Sequence, residues 1–193
     1  MKNCKNSDII VFLWYCFHVK LFWEGFFMRF KKLRHSLFLM AGVGILLSPG
    51  IQVDAAAKVQ TWDLVDSGKH LDYDGNSVYM SQVKTAAGKW NAYKSGVIRP
   101  DSAKVIEDVF CADYSANDGI NATTYSYGSI KFNKKVLGPK VDSRKLNVAI
   151  HELGHALGLD HNTSSDIMYK YDTTKTTLSA NDKASYDAAY KKY

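Results

Sequence analysis

Beyond its first 57 residues the sequence predicts a single domain of α+β or mixed α/β class. Three observations point there: short segments of strand-like composition between turn residues, one run of apolar side chains at helical spacing, and two later helices marked by their opening residues. Residues 58–193 contain no internal repeat, low-complexity tract or linker. A chain of that length buries a sizeable core without disulfides.

Taken in order, residues 59–65 (VQTWDLV) have strand-like composition. From Ser77 onward, Tyr79, Val83, Ala86, Trp90 and Tyr93 recur at spacings of four and three, which places them on one helix face. Gly96 ends that helix, and Pro100 prevents an early restart. Residues 104–110 (KVIEDVF) and 123–133 (TTYSYGSIKFN) read as strands, the second broken by Gly128. Asp142 is a favourable N-cap for a second long helix running to Gly158. Ser179 and Asp182 form a capping box that opens the last helix. Strands are thus interleaved with a few helices, and periodicity leaves their topology open.

The chain carries a formal charge of +6, but seven of its 25 Lys and Arg and three of its 19 acids lie in residues 1–57. Residues 58–193 therefore hold 18 basic against 16 acidic side chains, a balance that gives no reason to expect nucleic acid as a partner. Residues 28–57 have the form of a signal peptide. A basic stretch from Arg29 to His35 is followed by apolar residues from Leu37 to Leu47, a Pro49-Gly50 break, and small residues suited to cleavage after Ala55 or Ala57. The apolar stretch is short for a membrane span, which needs about 20 residues. Residues 1–27 read as a mis-assigned start or an extra apolar segment. The expectation is a secreted, monomeric protein with no stable membrane association after cleavage. Only Cys111 of the three cysteines lies beyond the leader, and on a predicted strand it reads as a small core residue. A metal site in 58–193 must then be built from His and carboxylates.

The informative segment is His151 to His161 (HELGHALGLDH), which fits H-E-x-x-H-x-x-G-x-x-H. Residues four apart on a helix lie nearly above one another, so His151 and His155 project two imidazoles to one side. Gly158 lets the chain leave the helix sharply, because it tolerates positive φ. His161 then returns from a loop as a third nitrogen ligand. Three neutral ligands leave a fourth position open, as in a catalytic zinc site. Glu152 follows a ligand directly and reaches a water at that position without taking it up. Five fixed positions arise by chance on the order of once in ten thousand chains of this length.

At these residues the sequence resembles the metzincin metalloproteases and, within them, the matrixins. Ser165-Asp166-Ile167-Met168-Tyr169 looks like their methionine turn, in which Met168 supports the metal site and is not a ligand. Weaker marks follow in family order: Trp62 opening the domain, Ala86 to Trp90 on a helix, Ile130 to Asn133 as I-x-F-N, and Leu178-Ser179 with Asp182. The resemblance implies a metzincin-like zinc protease domain. It has a mixed, mostly parallel sheet with an antiparallel edge strand, an active-site helix and a C-terminal helix. It implies one catalytic Zn2+, a peptide or protein substrate, and a substrate-binding edge strand at Ser129, Ile130, Lys131, Phe132 and Asn133. It also marks departures. His70 is the only histidine left in 58–193, so a second, structural zinc of the family's usual kind has no ligands. No acidic loop assigns calcium: Asp72, Asp74 and Asp113 to Asp118 read as turn residues. There is no room for a propeptide between the leader and the domain. A tyrosine ligand that some metzincins add falls at Lys170, so Tyr169 and Tyr171 are not assigned to zinc. Two other readings use the same residues: an amidase acting on cell-wall peptides, and a catalytically silent binding module of the same fold.

Overall fold

The structure is a computed structural model that describes residues 55–102 and 106–193. The expected apolar segment 1–27 and nearly all of the expected signal peptide 28–57 lie outside the described residues. Five strands, β1 (Leu71–Gly75), β2 (Ile98–Pro100), β3 (Val109–Tyr114), β4 (Ala122–Tyr125) and β5 (Ser129–Asn133), form one sheet in the order β2-β1-β3-β5-β4. All neighbours are parallel except β4, which runs antiparallel to β5 along the sheet edge. Among the described residues four helices accompany it: α1 (Met80–Asn91), α2 (Lys134–Leu137), α3 (Asp142–Ala156) and α4 (Ala180–Tyr190). This is the expected α+β class, with a mostly parallel sheet, an antiparallel edge strand and a C-terminal helix.

The core follows from the periodicities. Helix α1 turns Val83, Ala86, Ala87 and Trp90 inward, and α3 contributes Val148, Ala149, Ile150, Leu153 and Ala156. Trp90 is fully buried, donates its Nε1 hydrogen to the Ile150 carbonyl at 2.9 Å and meets the Tyr186 ring of α4 edge-on at 5.4 Å. An aromatic pair of this geometry is worth about 0.5–1.5 kcal/mol beyond its buried area. Cys111 on β3 is fully buried, and desolvation pushes its thiol up to about 12. That is the environment of an inert core side chain.

Several local expectations need correction. Residues 59–65 are not a strand; only Val59 forms an isolated bridge, to Leu159. The segment instead caps α3, with Leu64 N–H donating to the Ala156 carbonyl (2.9 Å) and Gln60 N–H to the Gly158 carbonyl (2.8 Å). Carbonyls at a helix end have no intrahelical donor, so they attract such a strap. The strand expected at 104–110 is shifted to 109–114, and Ile106 stands 87% exposed before it. Residues 123–133 are a hairpin, with Ser126 to Gly128 between β4 and β5. Asp142 is not an N-cap: extended Val141 holds that position without a side-chain bond, and Asp142 is the first helical residue. Helix α3 stops at Ala156, two residues short of Gly158. Asp72 and Asp74 lie on β1 and Asp113 on β3, not in turns. The Asp113 carboxylate accepts from Ser77 Oγ and Val78 N, which accounts for a polar residue within a strand.

Candidate metal centre

The site is assembled where α3 ends. His151 and His155 leave the same side of the helix, with ring centroids 4.6 Å apart. The chain reverses at Gly158, whose φ of +83° strains any side-chain-bearing residue, and a Cβ there would also press on Asp63 and the Trp62 carbonyl. Three residues later His161 returns, its Nε2 3.2 Å from Nε2 of His155. The three histidines bring one nitrogen each within 4.8 Å of one another.

Main-chain carbonyls settle which nitrogens face the common point. His151 Nδ1 lies 2.9 Å from the Ile167 carbonyl, and His155 Nδ1 lies 2.9 Å from the Leu159 carbonyl. A carbonyl oxygen only accepts, so each Nδ1 carries the proton and each Nε2 keeps a lone pair. Burial, reinforced by His155, pushes His151 down to about 3, and the same two causes lower His161. Neutral imidazoles with converging lone pairs repel unless a cation sits between them. The donor set, three neutral nitrogens and no thiolate, fits zinc with an open position.

Met168, next to the Ile167 carbonyl that holds His151, is fully buried. Its placement depends on Asp182, whose carboxylate accepts from Ile167 N (2.9 Å), Met168 N (3.1 Å) and Ser179 N (2.8 Å). The capping-box carboxylate therefore also holds the methionine turn. The Met168 carbonyl in turn accepts from Asn162 N at 2.7 Å, which ties the turn to the residue after His161. Gly154 permits the close approach: a Cβ there would collide with Met168 Sδ and lie 3.0 Å from Trp90. Neither the second role of Asp182 nor the need for Gly154 has a signal in the spacing, because both depend on contacts between distant segments.

Glu152 is 6% exposed, and its Oε2 accepts from Thr124 Oγ1 at 2.6 Å. Burial raises its pKa, while neighbouring His155 and the Thr124 hydrogen bond work against that rise. The carboxylate is thus more basic than an ordinary glutamate. Thr124 has no sequence motif that marks it; it is brought to Glu152 by the sheet edge.

A cleft of about 530 Å³ opens over the three histidines and Glu152, and Ala122, Thr123 and Thr124 of β4 line it. The residues expected as the substrate edge strand need correction here. Ser129, Ile130, Lys131, Phe132 and Asn133 form β5, which pairs with β3 on one side and β4 on the other and has no free edge. The free edge beside the cleft belongs to β4. Strand composition does not say which arm of a hairpin lies outside. Lys170 lines the cleft beside Tyr169 and Tyr171.

One comparison with known proteins agrees with this construction. The matrixin family profile matches residues 58–191. No curated protein matches the chain at a significant level. A solved structure titled "GM1 bound form of the ECX AB5 holotoxin" is 13% identical, covers 69% of this chain and 78% of its own, and superposes with a TM-score of 0.40. That likeness is too low to carry an argument. The family match spans most of the sequence and contains every residue of the histidine cluster, Glu152 and Met168: this chain belongs to the matrixins, a family of zinc metalloproteases.

Proposed function

We propose that the chain is a secreted endopeptidase with one catalytic zinc ion, held by His151, His155 and His161, and with Glu152 as its proton carrier. The observation that carries this reading is the buried Glu152 carboxylate beside neutral imidazoles whose Nδ1 atoms are committed to carbonyls. When bound, zinc supplies a Lewis acid that acidifies water and polarises a carbonyl. Glu152 takes a proton from the attacking water and delivers it to the leaving amine nitrogen as the C–N bond breaks. Its raised pKa suits both halves of that transfer, since a stronger base also holds the proton until the amine needs it. The Thr124 hydroxyl fixes one carboxylate oxygen and leaves the other for water. The free edge of β4 offers main-chain groups to an extended peptide, which binds it without reading its sequence. The signal-like residues 28–57 support export.

A digest of a degenerate peptide library, with and without chelator, tests activity and metal dependence together. Chelator abolishes cleavage. Glu152→Gln lowers it by about 10²–10⁴-fold while zinc content stays at the wild-type level. Undiminished cleavage by that variant would sink the role of Glu152. N-terminal sequencing of exported protein should begin at Ala56 or Lys58.

A further inference from the structure

The strap that caps α3 also carries a side chain to the metal centre. Gln60 is clamped by its main chain, its N–H donating to the Gly158 carbonyl (2.8 Å) and its carbonyl accepting from Lys192 Nζ (2.9 Å). Around it Val59 bridges to Leu159, and Asp160 N donates to the Lys58 carbonyl at 3.0 Å. Its side-chain amide is thereby set against His155, with Nε2 standing 2.8 Å from Nδ1 in the structure. The Leu159 carbonyl approaches the same nitrogen at 2.9 Å.

These two contacts constrain each other. The Leu159 carbonyl has no proton to give, so Nδ1 carries one. An amide N–H cannot bond a protonated nitrogen, whereas an amide oxygen can accept from it. The oxygen and nitrogen of a Gln side chain exchange by a half-turn, and the partner decides between them. In the structure Oε1 is buried without a partner, and a half-turn brings it onto the Nδ1 proton and leaves Nε2 in that unpartnered position. The opposite pairing, with the amide donating to a bare Nδ1, would put the ring proton on Nε2. His155 would then have no lone pair for the metal, and the Leu159 carbonyl would face a second lone pair.

We infer that Gln60 is a positioning residue for His155: its side-chain carbonyl accepts the Nδ1 proton jointly with Leu159 and holds the imidazole with Nε2 free for zinc. This rests on the zinc reading above. It couples the N-terminal strap to metal affinity through one hydrogen bond.

The test is zinc affinity by chelator competition on the wild-type chain, Gln60→Leu and Gln60→Glu, with the melting temperature of each zinc-free protein measured alongside. Loss of a partner of a ligating histidine costs about 10–100-fold in metal affinity. Gln60→Leu is expected to weaken zinc by that factor without moving the zinc-free melting temperature. Gln60→Glu keeps an acceptor and is expected to retain wild-type affinity. Unchanged affinity in Gln60→Leu would overturn the inference. So would equal losses in both variants, or a loss matched by a drop in zinc-free melting temperature, which marks packing alone. Nitrogen NMR of the histidines in the wild-type zinc-loaded chain needs no variant. It should show a protonated His155 Nδ1, and a bare Nδ1 would refute the role. If the wild-type chain binds no zinc, the proposed function fails with it; if it binds zinc and Gln60→Leu matches it, only the role of Gln60 fails.

Discussion

Two clusters among the described residues bring three metal-binding side chains within 4.8 Å of one another, His151/His155/His161 and Asp66/Asp72/Asp108, and they differ in what already occupies their donor atoms. In the first, the carbonyl hydrogen bonds of His151 and His155 fall on the far nitrogens, and the near ones face one another beside a cleft. In the second, Arg99 binds both oxygens of buried Asp72, at 2.8 and 2.7 Å. Asp108 Oδ2 accepts from Asp72 N and Asp66 Oδ1 from His70 N, both at 2.8 Å. Proximity of ligand types is common to both; unspent lone pairs belong to one. The carboxylates are a brace between β1, β2 and the loop before β3, with a guanidinium where a cation would sit.

The sharpest way to break this contrast is to remove one member from each cluster. His161→Ala should weaken zinc by more than about 100-fold, beyond the cost of losing an outer hydrogen-bond partner. Asp66→Ala should leave zinc at one equivalent per chain. Elemental analysis after dialysis reads both, and full occupancy in His161→Ala would remove it from the ligand set. The next largest effect concerns the brace. Arg99→Ala leaves the Asp72 carboxylate buried and unpaired, and should lower stability in denaturant by about 3 kcal/mol, the low end for a broken buried pair. The low end applies because the Arg99 side chain is 37% exposed. Zinc content should not change.

The smallest effect is a pH dependence. Burial raises the pKa of Asp108, and Asp66 and Asp72 add to the rise against the Asp72 amide and Arg99. A carboxylate whose folded pKa is raised stabilises the fold fully below its unfolded pKa, near 4, and loses that contribution as pH climbs through the folded value. Asp108→Asn keeps an acceptor for Asp72 N and removes the charge. It should flatten the loss of stability as pH rises from about 4 toward neutral, and the effect is small because the site is partly open to water. Urea melts of the zinc-free protein across that range would measure it. A steeper loss in the variant would contradict the assignment.

How much was legible depended on the range of the interaction. The histidine motif, Met168 and the Ser179–Asp182 capping box are local patterns in which spacing along the chain is spacing in space. The buried face of α1 follows from its period in the same way. The strand order, the exposed arm of the β4–β5 hairpin and the true use of residues 59–65 were not legible. An extended segment looks the same whether it pairs in a sheet or caps a helix.

By itself, then, the sequence determined the chemistry: three imidazoles and one carboxylate on a helix and its exit turn, where a fixed rise per residue and one glycine set the geometry. Only the tertiary structure decided what tunes them. Thr124 reaches Glu152 from the sheet edge, Asp182 holds the methionine turn from the last helix, and Gln60 meets His155 from the opening strap. These are one or two hydrogen bonds each, between segments 28 to 95 residues apart, save the 14- and 15-residue spans from Asp182 to the methionine turn. A hydrogen bond needs only two atoms at the right distance, so it imposes no period or spacing on the chain that carries it.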